Sequence, residues 1–228
     1  MLSTLRWLAL EVKYLGSAMD FYGETLGMTE RRRSESEVAY AAGETDLVLR
    51  RPAAVPRGGV HTHYAFSIPA TEYDDWWDRL AREHDLDEHV FGESRSLYLY
   101  DPDGNCVELG QSDVAGPGID GVFEVVLEVA DLDRAEAFYR DLGFGVVDRG
   151  EDRTRVRLQG PMALELWEPH LGLADARGGL HVDLGFAGDP DVVVDAVGDA
   201  ACEVDRLDDD RVRILDPDGH YLTVRDEA

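Results

Sequence analysis

The chain has 228 residues, 44% of them hydrophobic, and sets 48 acidic against 22 basic side chains for a net charge of −26. That length holds one or two packed cores, and the charge argues against nucleic acid or an anionic membrane surface as a partner. No apolar stretch reaches the roughly 18 residues of a membrane span and no charged leader with an apolar run opens the chain, so the expected location is cytoplasmic. Lys13 is the only lysine, and the acids are scattered through the chain rather than massed in a tail. This pattern suits a halophilic, salt-screened interior, in which stability rises from dilute buffer to molar salt. Cys106 and Cys202 stand at non-equivalent places without metal spacing, which argues against a disulfide framework.

Alternation over Leu5 to Val12 predicts a strand with Trp7, Ala9 and Glu11 on one face. A helix follows, capped by Ser17, with Ala18, Phe21, Tyr22 and Leu26 at helical spacing and Gly27 as its stop. Short strands are expected over Glu37 to Ala42 and Leu47 to Arg51, then a loop from Pro52 to Gly59. The second quarter repeats the order: a strand His61 to Ile68, an aromatic-rich helix Glu72 to Glu83, and a hairpin over Asp101-Pro102-Asp103-Gly104-Asn105. In that turn Pro pre-sets one dihedral, Gly accepts positive φ, and the Asp and Asn side chains can bond nearby amides. After it, Cys106 and Glu108 share one strand face and Val107 and Leu109 the other.

Residues Gln111 to Gly118 read as a linker. Beyond it come a strand Val122 to Val129, a helix Leu132 to Leu142 capped by Asp131, and strands Arg155 to Leu158 and Met162 to Trp167. The chain closes with His181 to Phe186, a helix Pro190 to Ala200 and a hairpin over Asp216-Pro217-Asp218-Gly219. This second DPDG turn lies 115 residues after the first (216 less 101), and Phe138-Tyr139 lies 117 after Phe21-Tyr22 (138 less 21). The chain is therefore a duplication of one domain, 1–112 and 119–228, built from four βαβββ-like units. The fold class is α+β, with the units forming two half-barrel cups.

Corresponding strand positions converge when such units pack as pairs. The first half offers Trp7, His63 (with His61 on the same face) and Glu108; the second offers Glu124, Glu165, His181 and Thr223. His63 and Glu108 suit a divalent metal, and two imidazoles with one carboxylate around open positions would suit Fe(II) and oxygen chemistry.

The elements LALEVKYLGSAMDFYGETLGM, THYAF and DPDGNCVEL, with VVLEVADLDRAEAFYRDLGF, LHVDLGF and the second DPDG, resemble the vicinal oxygen chelate superfamily of glyoxalase I, bleomycin-resistance proteins and extradiol dioxygenases. Within it, His89, Leu97-Tyr98, DPDG at 101 and Glu108 match the extradiol signature, with Asp87 a departure. THYAFSIPA is similar to the matching strand of the catechol 2,3-dioxygenase branch. The resemblance implies a metal-dependent ring-cleaving dioxygenase acting on a catechol-type substrate. In it His63 and Glu108 are ligands with His61 filling the third place, His89 is the acid/base residue, and Tyr98 is a hydrogen-bond donor. An indole cannot bind a metal, so Trp7 would roof this cup. A second set, Glu124, Glu165 and His181, resembles glyoxalase-type ligation and implies a lyase or isomerase. A third alternative is a non-catalytic binder of bleomycin-resistance type whose acidic cleft holds a cationic drug. The implied cofactor is Fe(II) for the dioxygenase, Zn, Ni or Mn for the glyoxalase-like enzyme, and none for the binder. The implied partner is a small molecule, with no nucleic acid or membrane, and the fold allows a homodimer.

Overall fold

The computed structural model describes residues 1–52, 61–151, 154–169 and 182–227. The first quarter holds β1 (Thr4–Glu11), α1 (Leu15–Met19), β2 (Glu30–Arg33), β3 (Glu37–Ala42) and β4 (Thr45–Arg50). The second holds β5 (His61–Pro69), α2 (Tyr73–Leu80), β6 (Asp87–Phe91), β7 (Ser94–Tyr100) and β8 (Cys106–Ser112). The third runs β9 (Gly121–Glu128), α3 (Leu132–Asp141), β10 (Gly145–Arg149), β11 (Arg155–Gln159) and β12 (Ala163–Trp167). The fourth runs β13 (Val182–Ala187), α4 (Pro190–Val197), β14 (Glu203–Asp208), β15 (Arg211–Leu215) and β16 (Tyr221–Arg225). The expected α+β architecture of repeated βαβββ units is the one observed.

The sheets do not follow the halves of the duplication. One eight-stranded sheet has the order β10-β11-β12-β9-β5-β8-β7-β6, joining the second and third quarters. The other has the order β14-β15-β16-β13-β1-β4-β3-β2, joining the fourth and first. The seams are the antiparallel pairs β5 with β9 and β1 with β13. Period-two alternation sends Tyr64, Phe66, Val107, Leu109, Val125 and Leu127 of one sheet, and Leu8, Leu10, Leu47 and Leu49 of the other, into a shared core with the helices. The opposite face of each sheet is left to line a cup.

Two local expectations are corrected. Ser17 does not cap the first helix but lies inside it; Tyr14 is the N-cap and makes no side-chain cap bond. After Met19 the chain continues into a π-helical turn over Asp20–Thr25, closed by Leu26 N–H donating to Phe21 O at 2.9 Å. The strand β2 was not expected because ERRR offers no apolar alternation; it is a fully exposed edge strand. Asp131 does cap α3, accepting from the Arg134 amide at 3.0 Å.

The recurring motifs hold one another. Asp101 Oδ1 accepts from the amides of Asp103 and Asn105 at 2.9 and 2.8 Å, while its Oδ2 accepts from the Asn105 side-chain amide and the Tyr22 hydroxyl at 2.7 and 2.8 Å. Asp216 repeats this with the amides of Asp218 and His220 at 2.9 and 2.8 Å and the Tyr139 hydroxyl at 2.8 Å. Gly104 and Gly219 take φ of 85° and 93°, which the turn demands and a side chain resists. The DPDG motif is thus an anchor that ties each closing hairpin to a helix.

Candidate metal centre

In the sheet seamed by β5 and β9, the cup-facing residues fall into two rows. Glu108, Ala65, Glu124 and Ala163 stand side by side in one; Cys106, His63, Val126 and Glu165 stand in the next. A local two-fold between β5 and β9 therefore relates His63 to Glu124 and Glu108 to Glu165. Small Ala65 leaves room for the two glutamates beside it to lean together. His63, Glu108 and Glu124 each bring one ligand atom within 4.8 Å of the others. His63 Nε2 lies 3.5 Å from Glu108 Oε2 and 3.3 Å from Glu124 Oε1. Glu165, the fourth corner, is turned aside. Its Oε1 meets Arg157 at 3.0 Å and Arg155 at 3.3 Å, and its Oε2 accepts from the Trp167 indole at 2.8 Å. Arg157 also pairs with Glu124 Oε2.

Burial raises the Glu108 carboxyl above the usual range; Glu124 adds to this, while hydroxyl bonds from Ser96 and Tyr98 and the charge of His63 oppose it. Burial, with Glu108 next, pushes the Tyr98 phenol far up, so it stays a donor. The Cys106 thiol, in the row beside His63, is pushed up to about 12 by burial and then by Glu108. For Arg157 burial acts downward, but Glu124 and Glu165 outweigh it and hold the guanidinium charged. The cup encloses about 730 Å³ and is also lined by His89, Phe91, Tyr100 and Phe123. The His89 ring stands 5.2 Å from that of Tyr98, edge to face.

The residues assigned from sequence to two alternative sets thus meet in one cup: His63 and Glu108 from the first half, Glu124 and Glu165 from the second. Trp7 is not in this cup and does not roof it; it belongs to the other sheet. His181 lies outside the described residues, and of His61 only its place at the start of β5 is described. The expected counterpart of His63 was His181, yet the register of β13 on β16, Asp183 opposite Tyr221, matches His63 opposite Cys106, so Asp183 holds that position. Ser96, Arg155, Arg157 and Trp167 were missed, because only strand pairing brings them to the carboxylates.

The matching rows of the other cup read Thr223, Gly185, Trp7 and Asp46, then Tyr221, Asp183, Ala9 and Val48. The Trp7 indole donates to Asp183 at 3.2 Å and Thr223 donates to it at 2.9 Å. A Cβ at Gly185 would stand 2.0 Å from the indole, so the ring lies flat against that strand and only glycine fits beneath it. No ligand set survives there among the described residues.

Ligand atoms held about 2.0–2.2 Å from one ion stand about 3.0–3.5 Å apart for angles between octahedral and tetrahedral. The separations around His63 fall in that range, and both carboxylates have hydrogen-bonding or ionic support behind them, as ligands do. The group fits a divalent metal. A family model described as the Glyoxalase/Bleomycin resistance protein/Dioxygenase superfamily matches residues 4–109. That match covers a little under half of the chain, and through it the chain is similar to this superfamily. The chain is also similar to Glutathione transferase FosA of Serratia marcescens, 29% identical over 114 residues that cover 48% of this chain and 81% of that protein. A crystal structure of a putative dioxygenase from Bacillus subtilis covers 99% of this chain and 86% of its own, with TM-score 0.75 and 15% identity. Glyoxalase I from Zea mays covers 98% and 92%, with TM-score 0.73 and 17% identity. At such identities these two show a shared fold alone. Among the described residues no helix is long and apolar enough to cross a membrane.

Proposed function

We infer that this protein is a metal-dependent enzyme whose divalent ion is held by His63, Glu108 and Glu124, and that it works on a small oxygen-bearing substrate by glyoxalase-like Lewis-acid chemistry. The observation that carries this reading is the convergence of one imidazole and two carboxylates in a cup built from both halves. That set is harder and richer in oxygen than two imidazoles with one carboxylate, and it suits Mn, Ni or Zn. When bound, such an ion polarises a substrate oxygen and stabilises negative charge developing there. The chain's own groups do the rest. Ser96 and Tyr98 orient Glu108, and Arg157 orients Glu124. Phe123 and Trp167 line the same cup and add apolar surface beside the site.

One observation favours a second reading, the extradiol dioxygenase: His89 and Tyr98 face the same cup. In that case His89 moves protons and Tyr98 donates to the substrate oxygen. Protein prepared without chelators, analysed for metal and then reloaded in turn with Mn, Ni, Zn and Fe(II), separates the two. Isomerisation of a thiol–ketoaldehyde adduct with Mn or Ni supports the first reading. Oxygen uptake with catechols confined to the Fe(II) form replaces it with the second. An intact fold that binds none of these metals leaves the cup as a binder.

A further inference from the structure

We propose that Arg157, assisted by Arg155, is a latch that withholds Glu165 from the metal and so sets how many coordination positions stay open; the inference rests on the metal-site reading above. Glu165 is the two-fold mate of Glu108 and stands in the same row as His63, separated from it only by Val126. By position it is a fourth ligand. By contact it is not, since both its oxygens are taken: Oε1 by the two guanidiniums at 3.0 and 3.3 Å, and Oε2 by the Trp167 indole at 2.8 Å. Its mate Glu108 has hydroxyl partners instead, and hydroxyls leave a carboxylate free to accept a metal, whereas a pair of cations competes with one.

Arg157 can act on both sides of this choice because it bridges Glu165 to the ligand Glu124. Arg155 is the weaker arm: its other hydrogen bond, at 2.8 Å, is to Asp148, a half-exposed residue whose pairing water can replace. Three protein ligands rather than four leave more positions for substrate, so the latch assigns Arg157 a positioning role.

The test is a double-mutant cycle on Mn²⁺ binding, read by the dissociation constant and by water-proton relaxation, which counts the waters on the ion. Glu165→Gln alone should leave both within about twofold of wild type. Arg157→Met should tighten Mn²⁺ about tenfold and remove about one bound water as Glu165 joins the ion, and adding Glu165→Gln should reverse both changes. If Arg157→Met does not fold, Arg157→Gln with Arg155→Gln takes its place in the same cycle. Weakening of Mn²⁺ by tenfold or more in Glu165→Gln alone would show that Glu165 is already a ligand and overturn the latch. So would tightening that persists in the double variant, because it would then come from Glu124. Mn²⁺ bound with a flat cycle overturns the latch alone; no Mn²⁺ bound by wild type or any variant overturns the metal reading and the latch with it.

Discussion

The two cups of this molecule share one scaffold and differ at each corner of the site. Where the cup between β5 and β9 has His63, Glu108, Glu124 and Glu165, the cup between β1 and β13 has Asp183, Thr223, Trp7 and Val48. In the first, the carboxylates of Glu108 and Glu124 turn toward an imidazole that can share an ion with them. In the second, the one carboxylate left is consumed by internal donors: Trp7, Thr223 and, at 3.7 Å, Arg50. The difference teaches that the duplicated fold can fill these places with an internally paired polar set and one apolar side chain, without a ligand set. One copy of the architecture keeps a candidate ligand set, and the other spends its polar groups on internal pairing.

The sharpest way to break that contrast is to remove equivalent groups from both cups. His63→Ala or Glu108→Ala should weaken divalent-metal binding by on the order of a hundredfold, since each takes a ligand from a set of three. Asp183→Ala, at the position matching His63, should leave metal binding unchanged when measured by titration calorimetry. Equal losses from both cups would mean that the second also holds metal.

Asp183→Ala should instead strike the fold. It leaves the Trp7 and Thr223 donors and the Arg50 charge without their buried partner, a loss of about 2–4 kcal/mol in urea unfolding. The pH dependence carries its own sign. Burial raises the Asp183 carboxyl despite the opposing pull of Arg50, Trp7 and Thr223. The folded state therefore keeps the proton to higher pH than the unfolded state, and stability falls as pH rises from the ordinary aspartate range to the raised value. Asp183→Asn has no proton to lose there, so its stability relative to wild type should improve as pH is raised through that window. A gap independent of pH would mean that Asp183 titrates as an exposed aspartate does.

Much of this architecture was legible in the chain because it rests on local signals. The DPDG turns, the Phe-Tyr pairs and the alternation around Glu108 mark the units and their cup faces without any knowledge of packing. What could not be read was which units pair. A duplication by halves invites one site per half, and so divides His63 and Glu108 from Glu124 and Glu165. It is the antiparallel seam of β5 on β9, between strands some sixty residues apart in sequence (124 less 65 at one matched pair), that unites them. The same blindness paired His63 with His181: like residues were matched, whereas the ladder sets Asp183 there. Arg157 carries no signal at all in RVRL beyond its parity, and its meaning appears only when β11 lies beside β12.

The smallest expected effect compares the two anchors rather than the two cups. Tyr22 and Tyr139 each donate to the buried aspartate of a DPDG turn, at 2.8 Å in both cases. Tyr22 also shares a buried hydrogen bond with the Tyr64 hydroxyl, and Tyr64 stands next to His63 on β5; at Tyr139 the position matching Tyr64 is Leu184, which has no hydroxyl to offer. Tyr139→Phe removes one bond to Asp216 and should cost about 1 kcal/mol. Tyr22→Phe takes one bond from Asp101 and one from Tyr64, so it should cost about 2 kcal/mol. Each kilocalorie corresponds to about 2–4 °C in Tm for a chain of this size. The decisive comparison is the triple of Tyr22→Phe, Tyr64→Phe and the double variant in thermal unfolding. If the second hydroxyl explains the excess, the double variant should be no less stable than Tyr22→Phe, because the bond between the two hydroxyls is already gone in the single variant. Additive losses would show instead that Tyr64 stabilises the turn on its own account, and equal losses at Tyr22 and Tyr139 would show that the two anchors are energetically the same despite their different surroundings.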